Sequence, residues 1–335
     1  MRNVLVTGGA GFIGSHLVDQ LLDSGAGVRV LDNLSTGSLG NLHAAAARQS
    51  RSGRLLNGSR LEVIIGDVRD RELLRKALRN VKYVFHFAAL PATAVSVTGP
   101  GDVHAVNVEG TLNVLHGALT EGVWRVVLAS CASVYGTPDS LPVPEEALLR
   151  PTSLFGASKV AAETYCQAFH ARHQLDTVVL RYFSVYGPRQ PAIAGGATLP
   201  NLVDAVRTRR PFSDRDDRGA EDFMYVDDAV VATVAAAGAS RATGRAINIG
   251  SGQMTGMGDV AGMLADLLQT GTVPAFQRNS DVVPYRICAQ TTLAAELLDF
   301  IPRVSLLSGL ARVVRSLSEL EPPERPVFAP AALND

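Results

Sequence analysis

Residues 3–14 read Asn3-Val-Leu-Val-Thr-Gly-Gly-Ala-Gly-Phe-Ile-Gly14, and residues 15–22 continue as Ser-His-Leu-Val-Asp-Gln-Leu-Leu. The apolar start predicts a short buried strand, the glycines predict a tight turn, and the last segment predicts an amphipathic helix. Gly8, Gly11 and Gly14 are three residues apart, unlike the usual G-x-G-x-x-G spacing. Glycines at such a turn let a phosphate approach the helix N-terminus, where free N–H groups and the helix dipole favour an anion. The stretch therefore predicts the start of a dinucleotide-binding unit.

A second predicted strand, residues 28–31, ends at Asp32. A carboxylate here can accept hydrogen bonds from the adenosine ribose hydroxyls and repels a 2′-phosphate, which favours NAD over NADP. The alternative is that Asp32 only caps a turn. Two further strands are predicted at 61–66 and 81–86, with helical stretches between the strands. This alternation indicates an α/β fold, a doubly wound parallel-sheet (Rossmann) domain with its ligand at the carboxyl ends of the strands.

The composition excludes several classes of function. The 335 residues include 31 Lys and Arg against 32 Asp and Glu, which gives no electrostatic footprint for nucleic acid or for an acidic membrane surface. Cys131, Cys166 and Cys288 show neither pairing nor metal-ligand spacing, so no metal site is predicted. No signal-peptide pattern precedes the first strand, and no segment reaches about 18 uninterrupted apolar residues. We therefore expect a cytoplasmic protein with ordinary thiols and no membrane partner.

Several ordered motifs share one family resemblance. They are Thr-Gly-Gly-Ala-Gly-Phe-Ile-Gly at 7–14, Asp-Asn-Leu-Ser-Thr-Gly at 32–37, Gly-Asp-Val-Arg-Asp at 66–70, His-Phe-Ala-Ala at 86–89 and Arg-Tyr-Phe-Ser-Val-Tyr-Gly-Pro at 181–188. Together they resemble the extended short-chain dehydrogenases/reductases, in the subgroup of NAD-dependent nucleotide-sugar epimerases and dehydratases. With further motifs downstream, the resemblance extends over about residues 3–315.

This resemblance implies NAD as the cofactor, a UDP-sugar or other nucleotide sugar as the substrate, and a smaller α/β C-terminal lobe that holds the substrate. Lys159 is expected to hydrogen-bond the nicotinamide ribose. Tyr182 is expected to line the cofactor cleft. The cofactor-binding residues expected in this way are Gly8, Gly11, Phe12, Ile13, Gly14, Asp32, Asn33, Asp67, Val68, Phe87, Ala88, Ala89, Lys159 and Tyr182.

The run Ser-Leu-Phe-Gly-Ala-Ser-Lys at 153–159 resembles the family's Tyr-x-x-x-Lys signature, with Phe155 in place of the tyrosine and Lys159 kept. In the family, the ionised tyrosine removes the proton of the sugar C4 hydroxyl, and a Ser or Thr donates a hydrogen bond to the same oxygen. Cys131 takes the position of that Ser or Thr. A thiol is a poor donor, though it ionises more readily than a hydroxyl. Losing a positioned general base lowers a rate by about 10²–10⁴-fold.

Three explanations of Phe155 stay open. The residue is an engineered change that traps substrate, or another group is the base, or the protein has lost the redox chemistry and kept binding. The candidates for another base are Cys131, Ser133, Tyr135 and a group on the substrate. Cys131 is equally explained as a small packing residue. The candidate catalytic set is Cys131, Ser133, Phe155 and Lys159.

Residues 132 and 133 bear on the reaction type. By the same resemblance, 4,6-dehydratases carry an Asp-Glu pair at these positions, and decarboxylases usually carry Glu at the second. This chain has Ala132 and Ser133. The absence of both carboxylates favours 4-epimerisation through a transient 4-keto intermediate. Dehydration, decarboxylation and binding without catalysis stay as alternatives.

Two positions in the predicted substrate region differ from the family pattern. Ser184 takes the place of a common substrate-binding Asn, and Glu221 stands where relatives usually have an Arg on the diphosphate. Arginines that would substitute for it are Arg209, Arg210, Arg215 and Arg218, unless the run at 214–218 is only a solvated loop.

Arg278 begins a run similar to the family's Arg-x-Gly-Asp-Val element, in which an arginine clamps the diphosphate. The alternative is an exposed surface arginine. The expected substrate-binding residues are Leu90, Ser184, Thr198, Leu199, Arg278 and Asp281.

The expected domain division follows from these motifs. Residues 1–183 plus 222–250 form the NAD-binding domain, residues 184–221 plus 251–320 form the substrate lobe, and residues 321–335 form a proline-rich tail. Relatives often dimerise through two helices, which here correspond to about 102–121 and 153–173. The resemblance therefore implies a homodimer.

Overall fold

The structure is a computed structural model that describes residues 3–43, 45, 60–91, 99–192, 198–212, 218–276 and 285–320. Strands and helices alternate along most of this chain. The strands are β1 Val4–Thr7, β2 Gly27–Asp32, β3 Arg60–Ile65, β4 Tyr83–His86, β5 Arg125–Cys131, β6 Asp176–Tyr182, β7 Ser184–Tyr186, β8 Ala220–Tyr225, β9 Ala246–Ile249, β10 Met254–Gly256 and β11 Arg286–Ile287.

The helices connect these strands. They are α1 Phe12–Asp23, α2 Arg71–Leu78, α3 Pro100–His104, α4 Gly110–Thr120, α5 Leu154–His173, α6 Thr198–Thr208, α7 Val226–Gly238, α8 Met257–Leu267, α9 Thr292–Leu298 and α10 Leu306–Leu320. A π-helical segment, Ala105–Glu109, joins α3 to α4 without a break.

The main sheet has seven parallel strands in the order β3-β2-β1-β4-β5-β6-β9. Strand β1 lies between β2 and β4, with Thr7 opposite Leu31 on one side and opposite His86 on the other. The strand order therefore changes direction at β1, and a crevice opens beyond its carboxyl end. This topology confirms the predicted doubly wound fold and places the glycine turn of residues 8–14 at that crevice.

Helices cover both faces of the main sheet. Successive side chains along each strand point into two different hydrophobic cores, one on each face. Val4 and Val6 of β1 pack in the core beneath α1 and α7, whereas Leu5 between them packs in the core beneath α2, α4 and α5. Neighbouring side chains of a strand point to opposite faces, so a strand that is apolar at every position is buried on both sides.

A second, smaller sheet is centred on β8. Strand β10 pairs antiparallel with β8 on one side and β11 pairs parallel with it on the other, while β7 pairs parallel with residues 223–225 of β8. The smaller lobe of the predicted fold class is thus α/β. The predicted domain boundary at residue 222 falls inside β8, and the tail at 321–335 lies outside the described residues. Among the helices described, none has the length and apolar content needed to cross a bilayer.

Candidate active site

A cleft of about 500 Å³ opens at the carboxyl ends of β1, β2 and β4. Its lining includes every residue predicted to bind the cofactor except Lys159 and Tyr182. It also includes Leu90, Ser133 and Phe155 from the predicted substrate and catalytic sets. The structure therefore brings the motifs of the first 90 residues to one site, next to part of the expected reaction centre.

The turn requires glycine at two positions because main-chain atoms of the protein lie directly against them. Gly8 has φ +70°, and a Cβ there would lie 2.6 Å from the backbone nitrogen of Ala88. A Cβ on Gly14 would lie 2.2 Å from the carbonyl oxygen of Gly8. Helix α1 begins directly after Gly11, which gives no side-chain cap. Its first N–H groups therefore face the cleft without a competing side chain, as an anion site requires.

Asp32 is held rigidly at the end of β2. Its Oδ2 accepts a hydrogen bond from the backbone N–H of Ala10 at 2.9 Å, and its Oδ1 accepts one from Leu34 at 2.8 Å. The side chain is only 7% exposed but lines the cleft. Each carboxylate oxygen can accept a second bond, so Asp32 is placed to receive ribose hydroxyls. A 2′-phosphate at the same place meets a fixed negative charge.

Asn33 and Asp67 form a second polar border of the cleft. Asn33 Nδ2 donates to Asp67 Oδ2 at 2.8 Å, and Arg69 pairs with the same carboxylate at 2.8 Å. The hydrogen bonds from Arg69 lower the pKa of Asp67 to about 2, so the group is ionised at neutral pH. The two side chains fix the ends of β2 and β3 relative to each other at the mouth of the crevice.

A buried chain of hydrogen bonds supports the floor of the cleft. The Thr111 hydroxyl donates to the carbonyl of Asn107 at 2.6 Å. Its proton is thus used, so the hydroxyl oxygen accepts a hydrogen bond from His86 Nε2 at 3.0 Å. The other ring nitrogen of His86, Nδ1, then accepts a hydrogen bond from the Thr7 hydroxyl at 2.6 Å. Burial lowers the pKa of His86 to about 3, which keeps the ring neutral. Asn107 also accepts from the N–H of Leu90 and donates to its carbonyl. These contacts fix the loop after β4 against the π-helical segment.

Helix α5 presents Phe155 and Lys159 on one face because they are four residues apart. Ser153 caps the helix by accepting from the N–H of Gly156 at 3.0 Å. The Phe155 ring lines the cleft, and Lys159 Nζ lies 5.7 Å from its centroid. Lys159 is 6% exposed and donates to the carbonyl of Ala129 at 2.8 Å. Burial lowers its pKa, although neighbouring Cys131 and Glu163 act in the opposite direction.

Cys131 and Ser133 lie where the cleft meets a second cavity. Cys131 ends β5 and is followed by a single 3₁₀ turn, Ala132–Val134. Burial raises the pKa of the Cys131 thiol, while the charge of Lys159 and hydrogen bonds from Ser133 oppose that shift. Ser133 lines both the cleft and the second cavity, so it is placed where cofactor and substrate would meet.

Tyr135, a candidate base on sequence grounds, is wrongly placed for that role. Its hydroxyl donates to Asn248 Oδ1 at 2.6 Å and accepts from Arg181 Nη1 at 2.8 Å. Arg181 is also paired with buried Glu163 at 2.8 Å. Burial raises the pKa of Tyr135 to about 12, and the side chain lines neither the cleft nor the adjoining cavity. The residue is part of a buried polar network behind the site.

The second cavity has a volume of about 220 Å³. It lies between β5 of the main sheet and strands β7 and β8 of the second sheet. Ser184 on β7 donates a hydrogen bond to Glu221 on β8. Tyr182 also lines this cavity, rather than the cleft, and its hydroxyl pairs with Thr233 at 2.6 Å. The lining residues that sequence analysis singled out are Cys131, Ser133, Tyr182, Ser184, Leu199 and Glu221.

Other predicted substrate residues are not brought to this cavity by the described structure. Leu90 lines the cofactor cleft instead, and Thr198 is the first residue of α6. Arg278 and Asp281 lie outside the described residues, as does Arg215 among the substitutes for the missing arginine.

Two further arginines suggested for the diphosphate are engaged elsewhere. Arg210 pairs with Asp204 at 2.6 Å, and Arg209 donates to the carbonyl of Thr270 at 3.4 Å. Both side chains are exposed, and neither lines the cleft or the second cavity.

Gln190 is a site residue that sequence analysis did not identify. It lines both the cleft and the second cavity. Its Nε2 donates to the carbonyl of Val185 at 3.2 Å, while its buried Oε1 has no hydrogen-bond partner among the described residues. A buried acceptor without a partner is costly, so this oxygen is suited to a donor on a ligand. The only signal in the sequence was its place in the run Pro-Arg-Gln-Pro at 188–191.

The fold and this site define a class: an α/β protein with a dinucleotide cleft that opens onto a small polar cavity. The sequence family described as the NAD dependent epimerase/dehydratase family matches residues 4–250. The chain belongs to this family. Membership confirms the predicted family and its cofactor, NAD, and the glycine turn and Asp32 fit that dinucleotide.

Known proteins similar to the chain support the same assignment. A UDP-glucose 4-epimerase of Mycolicibacterium smegmatis is 35% identical over 317 residues, which are 92% of this chain and 96% of that protein. The structure of a UDP-glucose 4-epimerase from Thermotoga maritima with UDP-glucose has a TM-score of 0.84 and 30% identity, covering 95% of this chain and 99% of the other. MoeE5 in complex with UDP-glucose and NAD has a TM-score of 0.79 and 34% identity, covering 95% and 99%.

Proposed function

We propose that the protein is an NAD-dependent nucleotide-sugar 4-epimerase that works through a transient 4-keto sugar with an altered acid/base set. Ser133 lines both the cofactor cleft and the second cavity, so the two meet at this residue. This junction is the main observation in support of the proposal. A sugar in the smaller cavity would thus have its reacting carbon beside the cofactor cleft. The relatives with an epimerase or UDP-sugar in their names support this choice of substrate class.

Bound NAD would supply the acceptor and the donor of the C4 hydride. The side chains handle the proton of the C4 hydroxyl. Phe155 has no group that takes a proton, so we assign this step to the Cys131 thiolate, which becomes a thiol as the C4 O–H bond breaks and the ketone forms. Ser133 donates a hydrogen bond to the same oxygen. The positive charge of Lys159 favours the thiolate, and two of its N–H groups stay available for the nicotinamide ribose.

Residues 132 and 133 support epimerisation over elimination. Loss of water across C5 and C6 needs an acid and a base next to the sugar, and Ala132 and Ser133 provide neither. The 4-keto sugar therefore has no carboxylate at these positions to remove a C5 proton. Reduction at C4, on the original face or on the opposite face, is therefore the outcome that we expect.

The proposal includes the assembly. A homodimer through α4 and α5 agrees with the exposure of Leu119, Leu154 and Tyr165 on these helices. Apolar side chains exposed on the two helices favour association through this surface.

The test of the function measures cofactor content and turnover in the same preparation. We expect the purified protein to contain or take up NAD, and to interconvert C4 epimers of at least one UDP-sugar from a panel of hexose, N-acetylhexosamine and uronic acid nucleotides. Cys131→Ala is expected to abolish turnover while NAD uptake stays as in the wild type. Failure to take up NAD contradicts the proposal, and so does the release of a 4-keto dehydration product.

A second candidate function is a nucleotide-sugar-binding protein without catalysis. Phe155 and the raised pKa of Cys131 favour it, because neither group is a ready base at neutral pH. This candidate predicts tight NAD and UDP-sugar binding with no change of configuration at C4 across the whole panel. An epimerase instead forms the C4 epimer of at least one sugar and keeps a deuterium label at C4, so the appearance of a labelled epimer separates the two functions.

A further inference from the structure

Gln190 lies where the cofactor cleft meets the second cavity, which is the substrate cavity of the proposed function. Among the residues that the structure describes, Gln190 and Ser133 are the two that line both spaces. Gln190 Nε2 donates a hydrogen bond to the carbonyl oxygen of Val185 at 3.2 Å. Val185 lines the cavity but not the cleft. The amide group of Gln190 is therefore held on the cavity side of the junction, where the sugar would lie.

The contact with Val185 also determines which end of the Gln190 amide is left for another partner. A carbonyl oxygen only accepts hydrogen bonds, so the amide nitrogen faces Val185 and the amide oxygen points away from it. This oxygen, Oε1, is buried and has no hydrogen-bond partner among the described residues. A buried acceptor without a donor destabilises a protein, and such an atom in a native fold requires an explanation. A donor group on a ligand would remove this cost.

The turn that carries Gln190 is strained and firmly anchored. Arg189, the preceding residue, has φ +65°, a left-handed conformation that residues other than glycine rarely adopt. Its guanidinium pairs with Asp19 at 2.8 Å, and the carbonyl of Pro188 accepts a hydrogen bond from His16 at 3.0 Å. Both partners lie on α1, the helix that begins at the glycine turn. Backbone strain persists only where the surrounding structure holds a residue in place, and it is concentrated at active sites and ligand sites.

We propose that Gln190 is a substrate-binding residue whose amide oxygen accepts a hydrogen bond from a hydroxyl group of the sugar. This inference rests on the proposed function and deepens it, since it assigns a contact beside the reacting carbon. In that function the proton of the C4 hydroxyl goes to Cys131, and Ser133 binds the same oxygen. Gln190 therefore binds a neighbouring hydroxyl, either on C3 or on the C6 hydroxymethyl group, and so fixes the orientation of the sugar at the junction.

Calorimetry on the NAD-loaded full chain tests the contact with the variant Gln190→Met, which keeps the length of the side chain and removes its amide. We expect UDP-glucose to bind about three- to tenfold more weakly, the usual loss for one neutral hydrogen bond. The affinities for NAD and for UDP, which lacks the glucose, are expected to stay at the wild-type values. Gln290→Met is the matched control, because Gln290 is exposed and lines neither the cleft nor the cavity.

Two deoxy analogues distinguish a hydrogen bond from a general effect on the turn. UDP-3-deoxyglucose and UDP-6-deoxyglucose each lack one of the two candidate hydroxyl groups. We expect one of them to bind the wild type about three- to tenfold more weakly than UDP-glucose does. The same analogue is expected to bind Gln190→Met at least as tightly as it binds the wild type, because the contact is already absent. A distortion of the turn would instead weaken all three sugar nucleotides by the same factor, and that result overturns the proposal.

The affinities of the wild type alone can also overturn the proposal. They do so if both deoxy analogues bind as tightly as UDP-glucose, so a poorly folded Gln190→Met does not leave the question open. Equal losses for UDP and UDP-glucose in Gln190→Met overturn it as well, and so does a loss of NAD affinity with UDP-glucose binding unchanged. The proposed epimerase function stands in all these cases. If the NAD-loaded wild type binds none of these nucleotides, the proposed function fails together with this inference.

Discussion

The cofactor cleft and the substrate cavity are built in different ways. Main-chain atoms determine the shape of the cleft. Gly8 and Gly14 allow segments of the main chain to lie close together, and two backbone N–H groups hold the Asp32 carboxylate. The cavity depends on side chains from strands far apart in sequence, as in the pair of Ser184 and Glu221. The first carries the motifs on which the resemblance to the family rests, whereas three expected departures from the family pattern, Cys131, Ser184 and Glu221, line the second.

This difference indicates where function can diverge in such a fold. A turn shaped by backbone contacts tolerates little change, since any side chain collides with the main chain. A cavity lined by side chains can change its charge or its acid/base groups while the sheet stays intact. Cys131 and Glu221 in the cavity are expected to be changes of this second kind, and Phe155 is a further expected change, at the border of the cleft. Substitutions in the cleft and in the cavity are therefore expected to have separable effects.

The largest expected effect is the loss of cofactor binding in Gly14→Ala. The added Cβ lies 2.2 Å from the carbonyl oxygen of Gly8, so the turn must open and the helix N-terminus moves away from the phosphate. We expect no NAD uptake at concentrations that saturate the wild type, measured by calorimetry. Gly258→Ala is the matched control, because a Cβ there meets nothing within 4 Å. Normal NAD affinity in folded Gly14→Ala contradicts the assigned cleft.

A gain of turnover is expected in Phe155→Tyr. The ring already borders the cleft, and Lys159 Nζ lies 5.7 Å from its centroid, close enough for its charge to lower the pKa of a phenol. Restoring a positioned base is expected to raise the epimerisation rate by about 10²–10⁴-fold. Steady-state turnover of the best UDP-sugar provides the measurement.

A matched double variant tests the reason for that gain. Phe155→Tyr with Lys159→Met keeps the phenol but removes the charge, so most of the gain is expected to disappear. If the single variant Phe155→Tyr turns over at the wild-type rate, a tyrosine at position 155 is not what the reaction centre lacks.

The pH dependence of the wild type distinguishes Cys131 from other bases. Burial raises the pKa of this thiol above its usual value, so the thiolate is a small fraction at neutral pH and increases as pH rises. Turnover is expected to rise by up to tenfold for each pH unit above neutrality, until the raised thiol pKa is reached. The rate is measured at saturating substrate from about pH 7 to pH 10.

Cys131→Ser removes this dependence if the thiolate is the base, because a serine hydroxyl does not ionise in that range. Glu221→Gln is the control for a carboxylate base, and it is expected to keep the wild-type slope. A flat profile in the wild type contradicts the role of Cys131.

The sequence predicted the cleft well because its determinants are local. The glycine turn, the strand before it and Asp32 all lie within 32 residues, and each has a physical reason that is independent of the rest of the chain. The alternation of strands and helices likewise predicted the parallel sheet, which the structure confirms. Site residues that directly follow a predicted strand can therefore be predicted from the sequence before the fold is known.

The cavity could not be predicted in the same way. The pairing of Ser184 with Glu221 joins positions 37 residues apart, and the engagement of Tyr135 depends on Arg181, 46 residues away. Tyr135 is an acceptable base by type, and only its packing excludes it. The unpaired oxygen of Gln190 is also a property of packing, since no pattern of residue types indicates which buried acceptor lacks a donor.

The smallest expected effect concerns the preference of the cleft for NAD. Asp32→Ala removes the carboxylate that would receive the ribose hydroxyls, and also the partner of the N–H groups of Ala10 and Leu34. We expect NAD to bind about 10- to 100-fold more weakly, since hydrogen bonds to a charged group contribute about 1.5–3 kcal/mol. NADP is expected to lose less, because its 2′-phosphate no longer meets a negative charge. Calorimetry with both dinucleotides measures the ratio, and Asp23→Asn on the exposed end of α1 is the control. If the ratio of NAD to NADP affinity is unchanged in Asp32→Ala, the adenosine ribose is held by residues other than Asp32. The cleft would then resemble the cavity, because its specificity would also depend on contacts between residues distant in sequence.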